Sequence, residues 1–366
     1  PAGTEEENVT MEFVSNEEIV QEARKKLMQG AWDYLVGASE SETSMRRNRL
    51  AFDRVAFRPR VLRDTTSIDT STSFLGHDLS MPLLLAPIGS LQTFNPEAGA
   101  ASTRAAAEFG VMHVVSSVTE PSLEETMAAA DHPKTYQLYI RGDWDWIVEM
   151  IGRVKEAGYA ALCITVDTAH YSRRERPLLT RYAPFTRRSP VDPSHQASVT
   201  WDTIDRIKDL AGLPFMLKGI ATGEDAAIAV EHGVDVVWVS NHGGRQLDHS
   251  EGTMDMLKQV VDAVEGKATV VLDGGVQRGS DIAKAVALGA TAVAIGKLQG
   301  WGLAANGAEG VKRVLEILQE ELVVAMALMG VTSIDQLSPA YVTQAEPVAA
   351  PHEMSAWANM PGDRIM

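Results

Sequence analysis

The sequence predicts an α/β protein, a (β/α)8 or TIM barrel with an N-terminal helical cap, on three observations. Short apolar runs alternate with helical stretches eight times along the chain. The runs are continuously apolar, as in a parallel sheet buried on both faces. Glycines and polar residues gather where the runs end, and parallel barrels carry their chemistry at the carboxyl ends of their strands.

The runs fall at 83–86, 111–116, 135–139, 160–166, 215–218, 234–240, 269–272 and 292–295. Helical stretches separate them at 97–109, 121–130, 143–157, 201–211, 223–232, 253–264, 279–288 and 307–328. Eight of each is the barrel count, with a doubly wound open sheet as the alternative because periodicity does not show closure. Ahead of the barrel, a helical pattern starts at Ser15, with Glu18 at capping-box spacing. A second helical segment near 30–50 holds Trp32-Asp33-Tyr34 and Arg46-Arg-Asn-Arg49, completing the cap. Residues 1–10 read as disordered, 11–340 as one domain including the cap, and 341–366 as a Pro-, Ala- and Met-rich tail. The longest irregular stretch, 169–199, carries Arg173-Arg174 and Arg187-Arg188 and has the length of a lid.

Composition narrows the function. Apolar residues make up 45% of 366 residues, enough for a substantial core, and the net charge is −16. Without a long basic run, nucleic acid and anionic membrane surfaces are disfavoured as partners. The single cysteine, Cys163, provides neither a disulfide framework nor a Cys metal site, and no metal is expected. No apolar run reaches membrane-spanning length, the acidic beginning is unlike a signal peptide, and Arg-Ile-Met is not the Ser-Lys-Leu peroxisomal address. A cytoplasmic protein is the expectation.

The chemistry concentrates in 236–248, Val-Val-Trp-Val-Ser-Asn-His-Gly-Gly-Arg-Gln-Leu-Asp. A buried strand runs into a glycine loop that carries His242 and Arg245. Histidine moves protons near neutral pH, and arginine holds a carboxylate through paired hydrogen bonds. The other strand ends are Ala86-Pro-Ile-Gly89, Ser116-Ser117, Gln137-Leu-Tyr139, Thr165-Val-Asp167, Lys218-Gly219, Asp273-Gly-Gly-Val-Gln-Arg278 and Gly296-Lys297. Burying such groups without partners costs roughly 1–3 kcal/mol each, so a polar ligand or a tight network is expected. Loops after the seventh and eighth strands often hold a phosphate on backbone N–H groups. Here Asp273, Gly274, Gly275 and Gly296 allow close approach, and Arg278 and Lys297 bring charge.

Ser240-Asn-His-Gly-Gly-Arg-Gln-Leu-Asp248 resembles the active-site signature of the FMN-dependent α-hydroxy acid oxidases and dehydrogenases, and further matches spread from about 13 to about 340. The resemblance implies an FMN along Pro87, Ile88, Gly89, Ser116, Gln137, Thr165 and Ser240. Asp273 would meet the ribityl hydroxyls, and the phosphate would lie by Gly274, Gly275, Gln277, Arg278, Gly296 and Lys297. It implies Lys218 at the flavin N1–C2=O edge, where a cation stabilises the reduced ring. The substrate, a small 2-hydroxy acid, would be held at its carboxylate by Arg174 and Arg245 with Tyr34 assisting. Tyr139 would bond its hydroxyl, His242 would be the base, and Asp167 would orient the imidazole. Electrons would pass to oxygen or another acceptor. A homo-oligomer, tetramer or octamer, is implied as well.

Three departures qualify the carry-over. The family's paired arginines after Asp-Gly-Gly are Gln277 and Arg278 here, and its Gly-Arg after the eighth strand is Gly296-Lys297. Lysine keeps the charge but loses the fork, so the phosphate is expected to bind more weakly, with Arg278 or backbone amides compensating. Val118 stands where many oxidases have tryptophan, which implies a wider pocket. Gly89 stands where many have alanine, which alters space near the reactive flavin face and leaves the acceptor open. Two other readings stand beside hydroxy acid oxidation: an FMN-dependent isomerase, such as one acting on prenyl diphosphates, and a flavin-binding scaffold without activity. Both leave the pairing of His242 with Arg245 unused.

Overall fold

The computed structural model describes residues 13–188, 192–348 and 354–357. The expectation of disorder at 1–10 falls outside them. Eight strands close into a parallel barrel in sequence order: β1 (Leu83–Leu85), β2 (Met112–Ser116), β3 (Lys134–Leu138), β4 (Ala161–Thr165), β5 (Phe215–Ile220), β6 (Val236–Val239), β7 (Thr269–Leu272) and β8 (Ala292–Ile295). The ring shuts where Val293 of β8 aligns with Leu83 of β1, which excludes the open doubly wound sheet. Nearly every strand residue is buried, which explains continuous rather than alternating hydrophobicity.

Leu84, Val114, Cys163, Met216, Trp238, Val271 and Ala294 fill the barrel interior. A hairpin absent from the sequence reading, Thr72–Phe74 with His77–Leu79, adds Phe74 and Leu79 to that cluster and plugs it. The carboxyl end of the barrel is where the polar strand tips gather around a cavity. Helices pack outside; Trp144–Ala157, for example, starts on the Asp143 side chain and ends at Gly158, whose φ of 85° suits glycine.

The cap differs from the single segment expected at 30–50. Following the first cap helix, Asn16–Lys26, that segment is two helices, Gln29–Val36 and Thr43–Asp53. The second begins on Asp248, whose carboxylate accepts from Ser44 N at 2.8 Å and Thr43 N at 3.3 Å. Burial opposes its charge, but these backbone donors outweigh burial and hold its pKa at about 2. The last residue of the motif thus docks the cap onto the barrel. The last helix is also longer than 307–328. It runs Lys297–Met329, straight from the tip of β8, with a break at Asn306 and Gly307. Val342–Gln344, in the stretch expected to be a tail, pairs antiparallel with Val55–Phe57, and Trp357 packs edge-on against Trp301. The described residues of the 169–199 stretch include short helical turns, among them Glu175–Leu179 and Ser194–Ala197.

Candidate active site

A cavity of about 290 Å³ opens over the carboxyl end of the barrel. Its wall includes Pro87, Ile88 and Gly89 after β1, Tyr139 after β3, Lys218 on β5, and His242 and Arg245 after β6. Asp273 through Gln277 after β7, and Gly296 and Lys297 at β8, complete the barrel side. Tyr34 and Asn48 of the cap, and Tyr171, Arg174 and Arg187 of the long loop, close it from above.

His242 sits in the left-handed region, φ 58°, at the turn that follows β6. Its N–H donates to Ser240 Oγ at 3.0 Å, and Asn241 Oδ1 accepts from Gly244 N at 3.0 Å, so the turn is fixed from both sides. Gly244 admits no side chain, since a Cβ there would lie 2.5 Å from Met45 N. His242 Nδ1 lies 3.0 Å from Asp167 Oδ1. A carboxylate only accepts, so Nδ1 carries the proton and Nε2 keeps its lone pair. Burial lowers the His242 pKa below 6.5, with Asp167 opposing and Lys218 reinforcing the shift. Burial alone would raise Asp167, but His242, Lys218 and Arg174 together hold it low. The result is a neutral imidazole backed by an ionised carboxylate.

Lys218 Nζ bonds Ser240 Oγ at 2.9 Å and Asp273 Oδ2 at 3.0 Å. Ser240 Oγ in turn donates to Asp273 Oδ1 at 2.6 Å. Burial opposes the charge on Lys218, yet Asp273 and Asp167 overcome it and raise its pKa. A fixed cation therefore stands on the cavity floor. Ser240, expected at the cofactor, spends its hydroxyl on this triad instead of lining the cavity.

Arg245 donates to the carbonyls of Tyr34 and Gly37, each at 2.7 Å. Arg174 Nε donates to Arg245 O at 3.0 Å and its Nη2 to Gln246 Oε1 at 3.2 Å. Gln246 Nε2 then bonds the carbonyls of Asp167 and His170 at 3.0 and 2.8 Å, tying loop and motif together. Among the described residues neither arginine meets a carboxylate. Burial, then the neighbouring Arg174, lowers the Arg245 pKa to about 10. Two adjacent, acid-free guanidinium groups in one cavity form a seat for a carboxylate. Burial raises the Tyr139 and Tyr34 pKa values, keeping both phenols protonated as donors.

The far end of the cavity suits a phosphate. Gly274 and Gly275 have φ of 90° and 94°, and a Cβ on either would press on Thr253 or Asn48 at about 3 Å. Gly296 heads the long last helix, and a Cβ there would meet nothing within 4 Å, so its backbone is open to the cavity. Lys297 Nζ donates to Val36 O at 2.6 Å from the cap. Arg278 overturns its expectation. It is the extended N-cap residue of Gly279–Ala287, which turns its side chain outward to Glu321 at 2.5 Å and away from the cavity. Gln277, its neighbour, is the one that faces in. Arg49 of the cap, which the sequence reading left without a role, reaches the same corner, bonding Gly275 O and pairing with Asp281 at 2.7 Å.

Below the cavity, Ser116 Oγ donates to Gln137 Oε1 at 3.0 Å. Gln137 Nε2 and Thr165 Oγ1 are buried with no hydrogen-bond partner among the described residues. Such orphaned groups on strand ends match the polar edge of a flavin ring. Gln246 and Arg49 were missed because nothing in their spacing marks which face they take. The only signal was their position inside the motif at 240–248 and the cap's basic run.

A barrel with glycine tips for a phosphate, a lysine on its floor and a His–Asp pair beside two arginines defines a flavin-dependent oxidoreductase. The chain belongs to the FMN-dependent dehydrogenase family, whose model matches residues 23–344. It is similar to glycolate oxidase 3 of Arabidopsis thaliana, 36% identical over 354 residues, covering 91% of this chain and 96% of that protein. It is 38% identical over 333 residues to 2-hydroxyacid oxidase 2 of Rattus norvegicus, covering 87% of this chain and 94% of the relative. L-lactate oxidase of a Nostoc strain is 38% identical over 352 residues, covering 89% and 96%. Among solved structures, mandelate oxidase superposes with a TM-score of 0.86 at 35% identity, covering 92% of this chain and all of that one.

Proposed function

We propose that the chain oxidises the hydroxyl of a small (S)-2-hydroxy acid to a 2-oxo acid, with FMN as its cofactor. The observation that carries this reading is the His242–Asp167 pair, at 3.0 Å, in the same cavity as the acid-free Arg174 and Arg245. FMN, when bound, supplies the two-electron acceptor, and oxygen or another acceptor reoxidises it. Its ring would lie by Pro87–Gly89, Ser116, Gln137 and Thr165, and its phosphate by Gly274, Gly275, Gly296 and Lys297. Arg174 and Arg245 take the substrate carboxylate, and Tyr34 assists. Tyr139 donates to the substrate hydroxyl. His242 Nε2 removes a proton, and Asp167 stabilises the imidazolium that results. Lys218 places positive charge where electron density arrives.

An isomerase of prenyl diphosphates or an inert scaffold leaves the arginine pair and the poised imidazole without work. Among the described residues no helix is long and apolar enough to cross a membrane. We assign the chain to the cytoplasm, on its one buried free cysteine, Cys163, and without a nucleic-acid partner, on its charge of −16. A homo-oligomer is part of the same reading. Val61 and Leu62 are exposed beside Arg60, whose N–H bonds Met329 O at 3.1 Å, and Val324 and Leu328 are exposed one turn apart on the helix that Met329 ends; exposed apolar residues of this kind are what contacts between chains cover. We treat 11–340, cap included, as one folding unit, to which Val342–Gln344 is joined by its pairing with Val55–Phe57.

The test is an anaerobic absorbance titration of the purified flavoprotein with glycolate, (S)-lactate, (S)-mandelate and longer (S)-2-hydroxy acids. Bleaching of the oxidised flavin bands by one of them is expected. A yellow protein that none of them bleaches would contradict the assignment.

A further inference from the structure

The cavity holds more positive charge than a flavin phosphate and one substrate carboxylate account for. Beyond Arg174 and Arg245, its wall carries Arg141 after β3 and Arg187 of the long loop. Arg187 is exposed at the rim and engages Tyr171, so neither guanidinium is paired with an acid among the described residues. Arg141 makes no hydrogen bond or ion pair among the described residues and is half-buried. Its pKa is lowered, first by burial and then by Arg187, so the two guanidinium groups feel one another. The Arg187 guanidinium carbon lies 3.3 Å from the centroid of the Tyr171 ring, whereas that of Arg174 lies 4.4 Å from the same centroid. Tyr171 thus links the carboxylate seat to the outer pair. Burial would raise the Tyr171 pKa, but Arg174, Arg245 and Arg187 together lower it, which reports how positive this side is.

The acids that face the cavity do not neutralise it. Asp273 is committed to Lys218. Asp192 lies on the wall, but its Oδ1 accepts from Ser194 N at 2.9 Å, and among the described residues it forms no ion pair with either arginine. Like charges held together without a counter-ion cost free energy in the empty site and repay it when an anion arrives. The outer pair sits on the loop side, away from the glycine tips and Lys297 that suit the phosphate, so FMN does not satisfy it.

We infer that the preferred substrate is a 2-hydroxy acid with a second anionic group at the end of its side chain, which Arg141 and Arg187 bind while Arg174 and Arg245 hold the carboxylate next to the reacting carbon. The inference rests on the hydroxy acid reading and deepens it. Carboxylate and phosphate share the required chemistry, because an arginine fork fits both.

The test uses the FMN-loaded enzyme under anaerobic conditions and reads the second-order rate of flavin bleaching. The probes are (S)-2-hydroxyglutarate, its neutral 5-amide, (S)-2-hydroxypentanoate and 2-hydroxy-4-phosphonobutyrate. A dianionic probe should exceed the amide and the pentanoate by at least about tenfold, the size of one well-placed charge contact. The faster of the two dianions identifies the second group. Arg141→Gln and Arg187→Gln should each lower the ratio of dianion to amide rates by about fivefold or more. Bound-flavin absorbance would show that both variants fold. Equal rates for the dianions and neutral-ended probes would overturn the inference and leave hydroxy acid oxidation standing, as would a ratio that neither variant moves. Failure of every hydroxy acid to bleach the flavin would overturn both.

Discussion

Val118 Cγ2 occupies the place beside Gly89, 2.8 Å from where a Cβ on that glycine would sit. The two departures from the family pattern, glycine at 89 and valine at 118, are therefore one packing arrangement. The width gained at 118 is partly taken up by the valine leaning over residue 89. Gly89→Ala should force this stiff β-branched side chain aside, costing about 1–3 kcal/mol as overpacking does. Thermal unfolding of Gly89→Ala beside Gly89→Ala/Val118→Ala checks it. The double variant should recover most of the lost Tm, and two equally destabilised variants would contradict the contact.

The phosphate end makes a prediction in three parts. Removing charge with Lys297→Gln should weaken FMN binding about tenfold, one charge-assisted contact in a partly open site. Gln277→Arg should tighten it, because residue 277 is the one facing the cavity. Arg278→Ala should leave FMN affinity within about twofold, near the 1.4 kcal/mol-per-decade scale's resolution, while lowering stability through the loss of Glu321's partner. Fluorescence titration of apoprotein with FMN, with Tm measured in parallel, separates the outcomes.

Which parts of this were legible follows from the physics of each signal. The strands could be read because burial on both faces makes most runs continuously apolar, as in Val236–Val239, although Lys134–Leu138 also buries Lys134, Thr135 and Gln137. The chemistry could be read because one loop carries His242, Arg245 and two glycines that nothing but a tight turn explains. Arg278 could not be placed, since adjacent residues at a helix start point opposite ways. Only the outward turn at the N-cap of Gly279–Ala287 decides between Gln277 and Arg278. The pairing of Val55–Phe57 with Val342–Gln344 joins two three-residue strands nearly the length of the chain apart, and neither segment has a periodic pattern of its own.

Lys218 anchors a buried triad. In Lys218→Met, the buried Asp273 would lose its cation and keep only the Ser240 hydroxyl. Breaking one side of a buried pair costs about 3–5 kcal/mol, so a substantial fall in Tm is expected. The flavin should also become harder to reduce, a negative shift of its midpoint potential read by spectroelectrochemistry. An unchanged potential in a folded, flavin-loaded variant would remove Lys218 from the electron-accepting edge.

The pH dependence has a definite sign. His242 must be neutral to accept a proton, and burial holds its folded pKa below 6.5. The kcat/KM for hydroxy acid should therefore be level at neutral pH and fall as the pH drops through that lowered value. Asp167 raises the His242 pKa, so Asp167→Asn should move the acid limb further down. The same change should lower the plateau about 10²-fold by removing the partner of the imidazolium. A limb moving upward would contradict the assigned pairing.

The most direct measurement is the rate of anaerobic flavin bleaching in His242→Gln, followed by stopped flow with a hydroxy acid that reduces the unaltered enzyme. Retained flavin absorbance would show that the cavity and cofactor persist. With His242 as the base, bleaching should slow by about 10³-fold, within the range general-base catalysis supplies. Bleaching within about tenfold of the unaltered rate, below that range, would contradict the role of His242 and the mechanism built on it.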